Sequence, residues 1–328
     1  MIKVLVTGAY GFLGKYLIEE LTGNGYSVIA FGRKKAELDK LKRENVETFV
    51  GDFCDEEAIT EASKGADYII HAGALSTVWG KRDDFLKTNV DGTANVIKAC
   101  RANNIKKLVY VSSPSIYATT RDRLNITEDD YDETNSLNYY IESKILAEKE
   151  LRASDIPYVV IRPRGLFGIG DTSIIPRLIR ANRKIGIPLF NGGKNIVDIT
   201  CVENVALALR LAMEKDVPSG SVYNITNGEP REFKSILEEL FEQIGEPPKY
   251  LKLGLGFMLG VSSLIEFIFK LFRIYKEPMI TRYNICTLGY SQTLNIEKAK
   301  EELDYKPLIT LSEGIAKYAE DYKRNKVL

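Results

Sequence analysis

The sequence predicts an α/β fold, a doubly wound parallel sheet with a smaller C-terminal lobe. Through the first half, short apolar runs rich in β-branched residues alternate with longer helix-patterned stretches. The apolar runs are continuous rather than alternating, as befits strands covered on both faces. After Arg162 the rhythm loosens into Gly- and Pro-rich turns. The 328 residues exceed the usual single-domain size. The expected division is 1–165 for the sheet and 166–328 mainly for the second lobe, with some late segments returning to the sheet.

In chain order, "IKVLVT" (2–7), "SVIAF" (27–31), "VETFV" (46–50), "DYIIH" (67–71), "KLVYVSS" (107–113) and "YVVIRP" (158–163) read as strands. Helices are expected over 12–23, 34–43, 55–64, 83–102 and 139–152. "LGLGFMLGVSSLI" (253–265) is uncharged and "EFIFKLF" extends it to 272. With Glu266 and Lys270 interrupting, it falls short of the ~20 apolar residues a membrane span needs. Core packing is the first expectation for 253–272, ahead of a pocket roof or a peripheral membrane contact.

Lys+Arg and Asp+Glu each total 45, so no basic excess speaks for a nucleic-acid partner. Cys54, Cys100, Cys201 and Cys286 are scattered without a CxxC pair. That argues against a metal site or disulfide framework and for a reducing compartment. The chain opens directly on a strand without a basic, apolar leader, so the cytoplasm is the expected location.

Strand 2–7 runs into "TGAYGFLG", with Gly8, Gly11 and Gly14 before a helix. Gly8 permits a tight turn, Gly11 lets backbone approach a pyrophosphate, and Gly14 lets helix and sheet pack closely. The anion then meets the free N–H groups of the helix N-terminus. This spacing makes the sheet Rossmann-type and residues 1–165 dinucleotide-binding. A ribose 2′-hydroxyl calls for an acid at the end of the second strand, and a 2′-phosphate for arginine. Here the strand ends in Gly32 and Arg33, with no acid before Glu37, which favours NADP over NAD. Asp52, ending the third strand, is placed to accept from the adenine amino group.

"YYIESK" (139–144) sets Tyr140, but not Tyr139, four residues before Lys144 and so on its helical face. With TGxxGxxG at 7–14, "GDFCD" at 51–55, "HAGA" at 71–74, "TNVDGTANVIKAC" at 88–100 and "VYVSSPSIY" at 109–117, the chain resembles the extended short-chain dehydrogenase/reductases. These form the NAD(P)-dependent epimerase/dehydratase superfamily. "LSTVWG" (75–80), "RPRGLFGIGD" (162–171) and "EPMITRY…LNIEKAKEELDYKP" (277–307) are similar to its 3β-hydroxysteroid dehydrogenase-like branch.

The resemblance implies Tyr140 as acid/base, Lys144 as its partner, Ser113 holding the substrate oxygen and Asn89 ordering the lysine or a proton-relay water. Ser112 and Ser115 are the alternatives to Ser113. A tyrosine titrating near pH ~10 needs about 4 kcal/mol of differential interaction to act at neutral pH, which a nearby cation supplies. The implied cofactor contacts are Gly8, Tyr10, Gly11, Phe12, Leu13, Gly14, Arg33, Asp52, Phe53, Ala72, Gly73, Ala74, Val111, Tyr140, Lys144, Pro163 and Gly165. Ser76, Trp79, Ser113 and Ser115 are candidate substrate contacts, while His71, the only histidine, reads as structural.

Among the reactions of such a scaffold, 4,6-dehydration calls for acids after the catalytic serine, where Pro114 and Ser115 stand. Sugar-nucleotide epimerases carry an asparagine where Gly165 stands. Exchange of hydride between a secondary alcohol and a ketone is therefore expected. The small-molecule substrate would be apolar, sterol-like or a 3-oxo/3-hydroxy acyl compound. An epimerase and a non-catalytic dinucleotide sensor are the alternatives. The resemblance also implies a homodimer formed through the helices at 83–102 and 139–152.

Overall fold

The structure is a computed structural model and describes residues 1–327. Seven strands form one parallel sheet: β1 (Lys3–Thr7), β2 (Ser27–Gly32), β3 (Val46–Val50), β4 (Tyr68–His71), β5 (Lys107–Val111), β6 (Tyr158–Pro163) and β7 (Ser221–Ile225). Their order is β3-β2-β1-β4-β5-β6-β7, each pair parallel. The order reverses between β1 and β4, which leaves a crevice at their carboxyl ends, where open α/β sheets bind ligands.

Alternate residues of β1 serve opposite cores. Val4 and Val6 pack with Leu17, Ile18 and Leu21 of α1 (Phe12–Gly23), while Leu5 packs on the other face with Ile59, Val96 and Ile97. Both faces are thus closed, as the unbroken apolar strands predict. Asp55 starts its helix by accepting hydrogen bonds from Glu57 N and Ala58 N. Asn138 does the same for the helix Tyr139–Arg152, accepting from Ile141 N at 2.8 Å.

The helix expected over 83–102 is three pieces: Arg82–Phe85, a π-helical turn Leu86–Asp91, and Gly92–Ala102. The Thr93 hydroxyl donates to Asn89 O at 2.7 Å, and a Cβ on Gly92 would lie 2.6 Å from the Phe53 ring. The widened turn carries Asn89, and π-bulges often occur at functional sites. The helix expected over 34–43 stops at Asp39, and strand 107–113 stops at Val111. Ser113 leaves the ladder to cap the 3₁₀ turn Pro114–Tyr117.

Part of the C-terminal region forms a separate core around Ile175, Ile179, Phe233, Leu237, Phe241, Leu311 and Ile315, while Val205, Leu209, Ala299 and Leu303 pack with the sheet. The stretch 253–272 contradicts the core-packing expectation. Its helix Leu255–Leu271 buries only Met258, Ser262 and Glu266, one narrow stripe four residues apart. Glu266 lies on that stripe because it pairs with Arg282, while Phe257 (72 %) and Phe272 (69 %) face outward. No helix among the described residues is long and apolar enough to cross a membrane.

Candidate active site

The turn after β1 leaves little room for any side chain. Gly8 has φ +70°, and a Cβ there would sit 2.9 Å from Gly73 N across the β1–β4 crevice. A Cβ on Gly14 would lie 2.3 Å from Gly8 O, so only glycine lets α1 approach the strand end. Gly11 begins α1 in extended conformation with no side-chain cap, and the first turn contains no acid. Its N–H groups are therefore available to an anion. This cradle fits a dinucleotide pyrophosphate.

Around it, Tyr10 lies against Gly32, whose Cβ would come within 2.5 Å of the ring, and Phe53 packs on Gly73. Phe12, Leu13, Ala72 and Ala74, which follow the glycine turn and the end of β4 in the chain, are half-buried. Arg33 is exposed at the end of β2, with its Nη1 3.7 Å from Asp52. The residue read as phosphate reader and the one read as adenine acceptor thus pair loosely with each other.

Beneath the crevice, a hydrogen-bond chain fixes His71. Gly73 N donates to Thr7 Oγ1 (3.1 Å), which meets His71 Nδ1 at 2.6 Å. The other ring nitrogen meets Thr93 Oγ1 at 3.3 Å. Because the Thr93 hydroxyl already donates to Asn89 O, this nitrogen carries the proton and Nδ1 accepts from Thr7. Burial, and then the Lys144 charge, push the imidazole down to about 3. His71 is a neutral structural group.

Ser113 stands close enough to Tyr140 at the carboxyl end of the sheet to act on its phenol. Ser113 Oγ donates to Ser115 Oγ at 2.9 Å and accepts from Ser115 N. Ser112 is occupied elsewhere, donating to Glu148 at 2.5 Å. Lys144 is only 2 % exposed; its Nζ donates to Val111 O at 2.8 Å and Tyr110 Oη at 3.1 Å. Burial lowers it to about 7, against the pull of Glu148. Burial also lifts Tyr140 to about 12, opposed by the Ser113 hydrogen bond. In the protein alone, desolvation of the phenol outweighs the pull of Ser113.

Asn89 spends its side chain on groups other than the Lys144 amine. It clamps Leu75 through both backbone groups (2.8 and 3.1 Å) and donates to Ser143 Oγ at 2.9 Å. Ser76 is exposed. Trp79 bridges to the second lobe, donating to Ile274 O at 2.9 Å and meeting Phe269 edge-on. It lines a cleft of about 270 Å³ with Lys81, Tyr139, Lys270, Ile274 and Tyr275. Tyr139 faces that cleft, while Tyr140 faces Ser113. Pro163 is buried, and Gly165 (φ +56°) turns the chain against Asp198 and Ile199.

Several groups here carried no sequence signal of their own. Tyr110 holds Lys144 from inside β5. Glu148, one turn beyond Lys144, binds Arg162 through Nε and Nη2 at 3.0 and 2.6 Å. Tyr283 packs beside Ile116, Ile141 and Ile145, and its charge raises Tyr140 further.

A sequence model of the NAD dependent epimerase/dehydratase family matches residues 4–226. A 2-alkyl-3-oxoalkanoate reductase of Stenotrophomonas maltophilia is 34 % identical over 95 % of this chain and 97 % of its own. A mouse decarboxylating sterol-4-alpha-carboxylate 3-dehydrogenase is 32 % identical over 98 % of this chain and 91 % of its own. In fold, the chain is similar to UDP-glucuronic acid 4-epimerase of Bacillus cereus, solved with NAD. That TM-score is 0.77 at 20 % identity, over 99 % of both chains.

Proposed function

The chain belongs to the NAD dependent epimerase/dehydratase family, and we propose that it interconverts a secondary alcohol and a ketone on a hydrophobic substrate. The observation that carries this reading is buried Lys144, held at the end of β5 by Val111 O and Tyr110 Oη, one helical turn from Tyr140, whose phenol Ser113 pulls down. A bound nicotinamide dinucleotide would supply the hydride acceptor or donor. In reduction, Tyr140 Oη gives its proton to the forming alkoxide while Ser113 Oγ holds that oxygen. Lys144, held by Val111 and Tyr110 one helical turn from the phenol, keeps the tyrosine's proton mobile and anchors the ribose hydroxyls. Asn89 acts indirectly, fixing the Leu75 backbone and the helix at Ser143.

The two sequence relatives are named for a 2-alkyl-3-oxoalkanoate and a sterol-4-alpha-carboxylate, each an apolar body with its oxygen function at carbon 3. That supports the apolar-substrate reading for this chain. Gly165 argues against a sugar-nucleotide epimerase. Even the Cβ of an asparagine there would come within 3.2–3.3 Å of Ile199 and Asp198, at positive φ. The Tyr140/Lys144 pair argues against a non-catalytic sensor. The test follows nicotinamide absorbance with 3-hydroxysteroids, long-chain 3-hydroxy acyl compounds and UDP-sugars. Turnover confined to the UDP-sugars would overturn the proposal.

NADP is the proposed cofactor. Tyr10 occupies the space an acid at position 32 would need, and Arg33 stands exposed beside it. Arg33→Ala should raise the KM for NADP(H) about tenfold, the scale of one charge-assisted contact, and leave NAD(H) unchanged. An equal effect on both cofactors would remove Arg33 from that role.

The outward Phe257, Leu264, Phe267 and Leu271, flanked by exposed Lys252, Lys270, Arg273 and Lys276, support a peripheral contact with an anionic membrane surface. Co-sedimentation with phosphatidylserine vesicles, lost in Phe257→Ser/Phe267→Ser, tests it. Unchanged partitioning would refute it. The homodimer belongs to the same proposal and is read from sedimentation equilibrium.

A further inference from the structure

The cleft lined by Trp79 carries an excess of positive charge. Lys81, Arg82, Lys270 and Arg273 stand on its walls against one acid, Asp83. Arg82 is spent on Glu142, its Nε 3.1 Å from both carboxylate oxygens. Among the described residues, the other three cations form no ion pair. Two of them rest on aromatic rings instead. Lys81 Nζ lies 5.1 Å from the Tyr275 ring centre, and Lys270 Nζ lies 5.9 and 5.7 Å from those of Trp79 and Tyr139. Such contacts orient an exposed ammonium without neutralising it.

Arg273 stands where glycine is the usual residue. The helix Leu255–Leu271 ends in a Schellman turn, with Ile274 N donating to Phe269 O at 2.8 Å and Arg273 N to Lys270 O at 3.1 Å. That turn requires a left-handed backbone at Arg273, which has φ +52°. An exposed cation there costs strain, and among the described residues its side chain gains no bond in return. The loop after β4 fixes the turn, because the Trp79 indole N–H donates to Ile274 O at 2.9 Å.

We propose that this cleft holds the phosphate of an anionic glycerophospholipid, with the acyl chains lying along the outward face of the same helix. The inference extends the peripheral membrane contact above from a charged surface to a built headgroup site. Lys270 follows Phe267 by three residues and so neighbours it on the helix surface, which joins the cleft to the exposed Phe267, Leu271 and Phe272. At about 270 Å³ the cleft is smaller than the ~300–1,000 Å³ of pockets that enclose a whole small molecule. It suits a charged head whose apolar body lies outside. Tryptophan, tyrosine and long cationic side chains are also the residues favoured at headgroup depth.

Trp79 is the only tryptophan, so its emission reports the cleft directly. The test titrates it with dihexanoyl phosphatidylglycerol below its micelle concentration, with dihexanoyl phosphatidylcholine and with inorganic phosphate. Phosphatidylglycerol should give a saturable shift about tenfold tighter than phosphatidylcholine, and inorganic phosphate none. Lys81→Gln/Lys270→Gln should weaken it about 30-fold, from about fivefold for each cation. Arg273→Gly should weaken it about fivefold yet raise the melting temperature, because glycine relieves the left-handed turn. A purely structural Arg273 would leave the titration unchanged. That result, no shift with phosphatidylglycerol, or an equal response to phosphatidylcholine or inorganic phosphate overturns the assignment. Vesicle co-sedimentation with a silent Trp79 would remove the headgroup site and leave the peripheral contact standing. A saturable shift without vesicle partitioning would support the site and remove the contact.

Discussion

Arg162 and Arg164 stand two residues apart at one strand end, and the protein treats them oppositely. Arg162 is among the largest fully buried side chains, and its donors are engaged by Glu148, the Tyr117 hydroxyl and Glu128 O. Its guanidinium also lies over the Tyr117 and Tyr131 rings. Glu128 in turn accepts from Asn224 N, whose side chain accepts from Tyr117. Arg164 has none of these bonds, and its Nε is buried without a partner among the described residues. The floor of the site is a closed network that fixes β5, β6, β7 and the tyrosine helix against one another. The roof keeps a charge in reserve. A closed network fixes geometry, whereas a buried charge without bonds costs stability.

Tyr140 stands where floor and roof meet, and the largest effect is expected there. Tyr140→Phe should lower kcat by about 10²–10⁴-fold, the usual share of a positioned acid/base. Tyr139→Phe, which faces the outer cleft, should stay within about twofold. Steady-state turnover on whichever alcohol proves active makes the measurement. Equal losses in both variants would mean that the tyrosines act through packing.

Removing the carboxylate of Glu148 tests the floor itself. Glu148→Gln leaves Arg162 buried without its counter-charge and should cost about 3–5 kcal/mol in urea unfolding. Arg164→Gln removes a charge that has no bonded partner and should cost less than about 1 kcal/mol, or stabilise. Similar losses in the two variants would break the distinction between the arginines.

Much of the floor was legible in the sequence, and little of the roof. Continuous apolar strands, the glycine spacing at 8, 11 and 14 and the Tyr140–Lys144 interval all depend on local periodicity, which a chain displays directly. The π turn at Leu86–Asp91 was not legible, because it depends on Phe53 packing against Gly92 from a different element. Glu148 read as one more charge on a helix, and only the strand behind it, with Arg162, gives it a role. The apolar 253–272 stretch was misread because composition does not say which face a helix buries. Its inward stripe is set by Glu266 reaching Arg282, sixteen residues away.

Opposite pH responses sharpen the same contrast. In the roof, burial raises Asp198 from 3.8 to about 6, with Leu294 N and Arg164 opposing. A carboxyl raised in the folded state contributes stability that is full below 3.8 and lost as pH rises through about 6. Relative to Asp198→Asn, wild type should therefore weaken between those values by on the order of 2 kcal/mol. Denaturant unfolding at a series of pH values reads it, and a parallel pair of curves would remove Asp198 from the account.

The smallest signal belongs to His71 in the floor, where the expected outcome is constancy. Thr7, Thr93 and the nearby Lys144 charge surround a buried neutral imidazole, lowered from 6.5 to about 3. A depressed histidine contributes stability that is full above 6.5 and lost as pH falls through about 3, the reverse of Asp198. Because the chain has one histidine, one imidazole resonance reports it without assignment. Its shift should stay flat from about pH 8 to 5, far above the folded value but spanning the ordinary one. A titration midpoint near the ordinary value would open the Thr7–His71–Thr93 chain and, with it, the claim that the floor is closed before any ligand arrives.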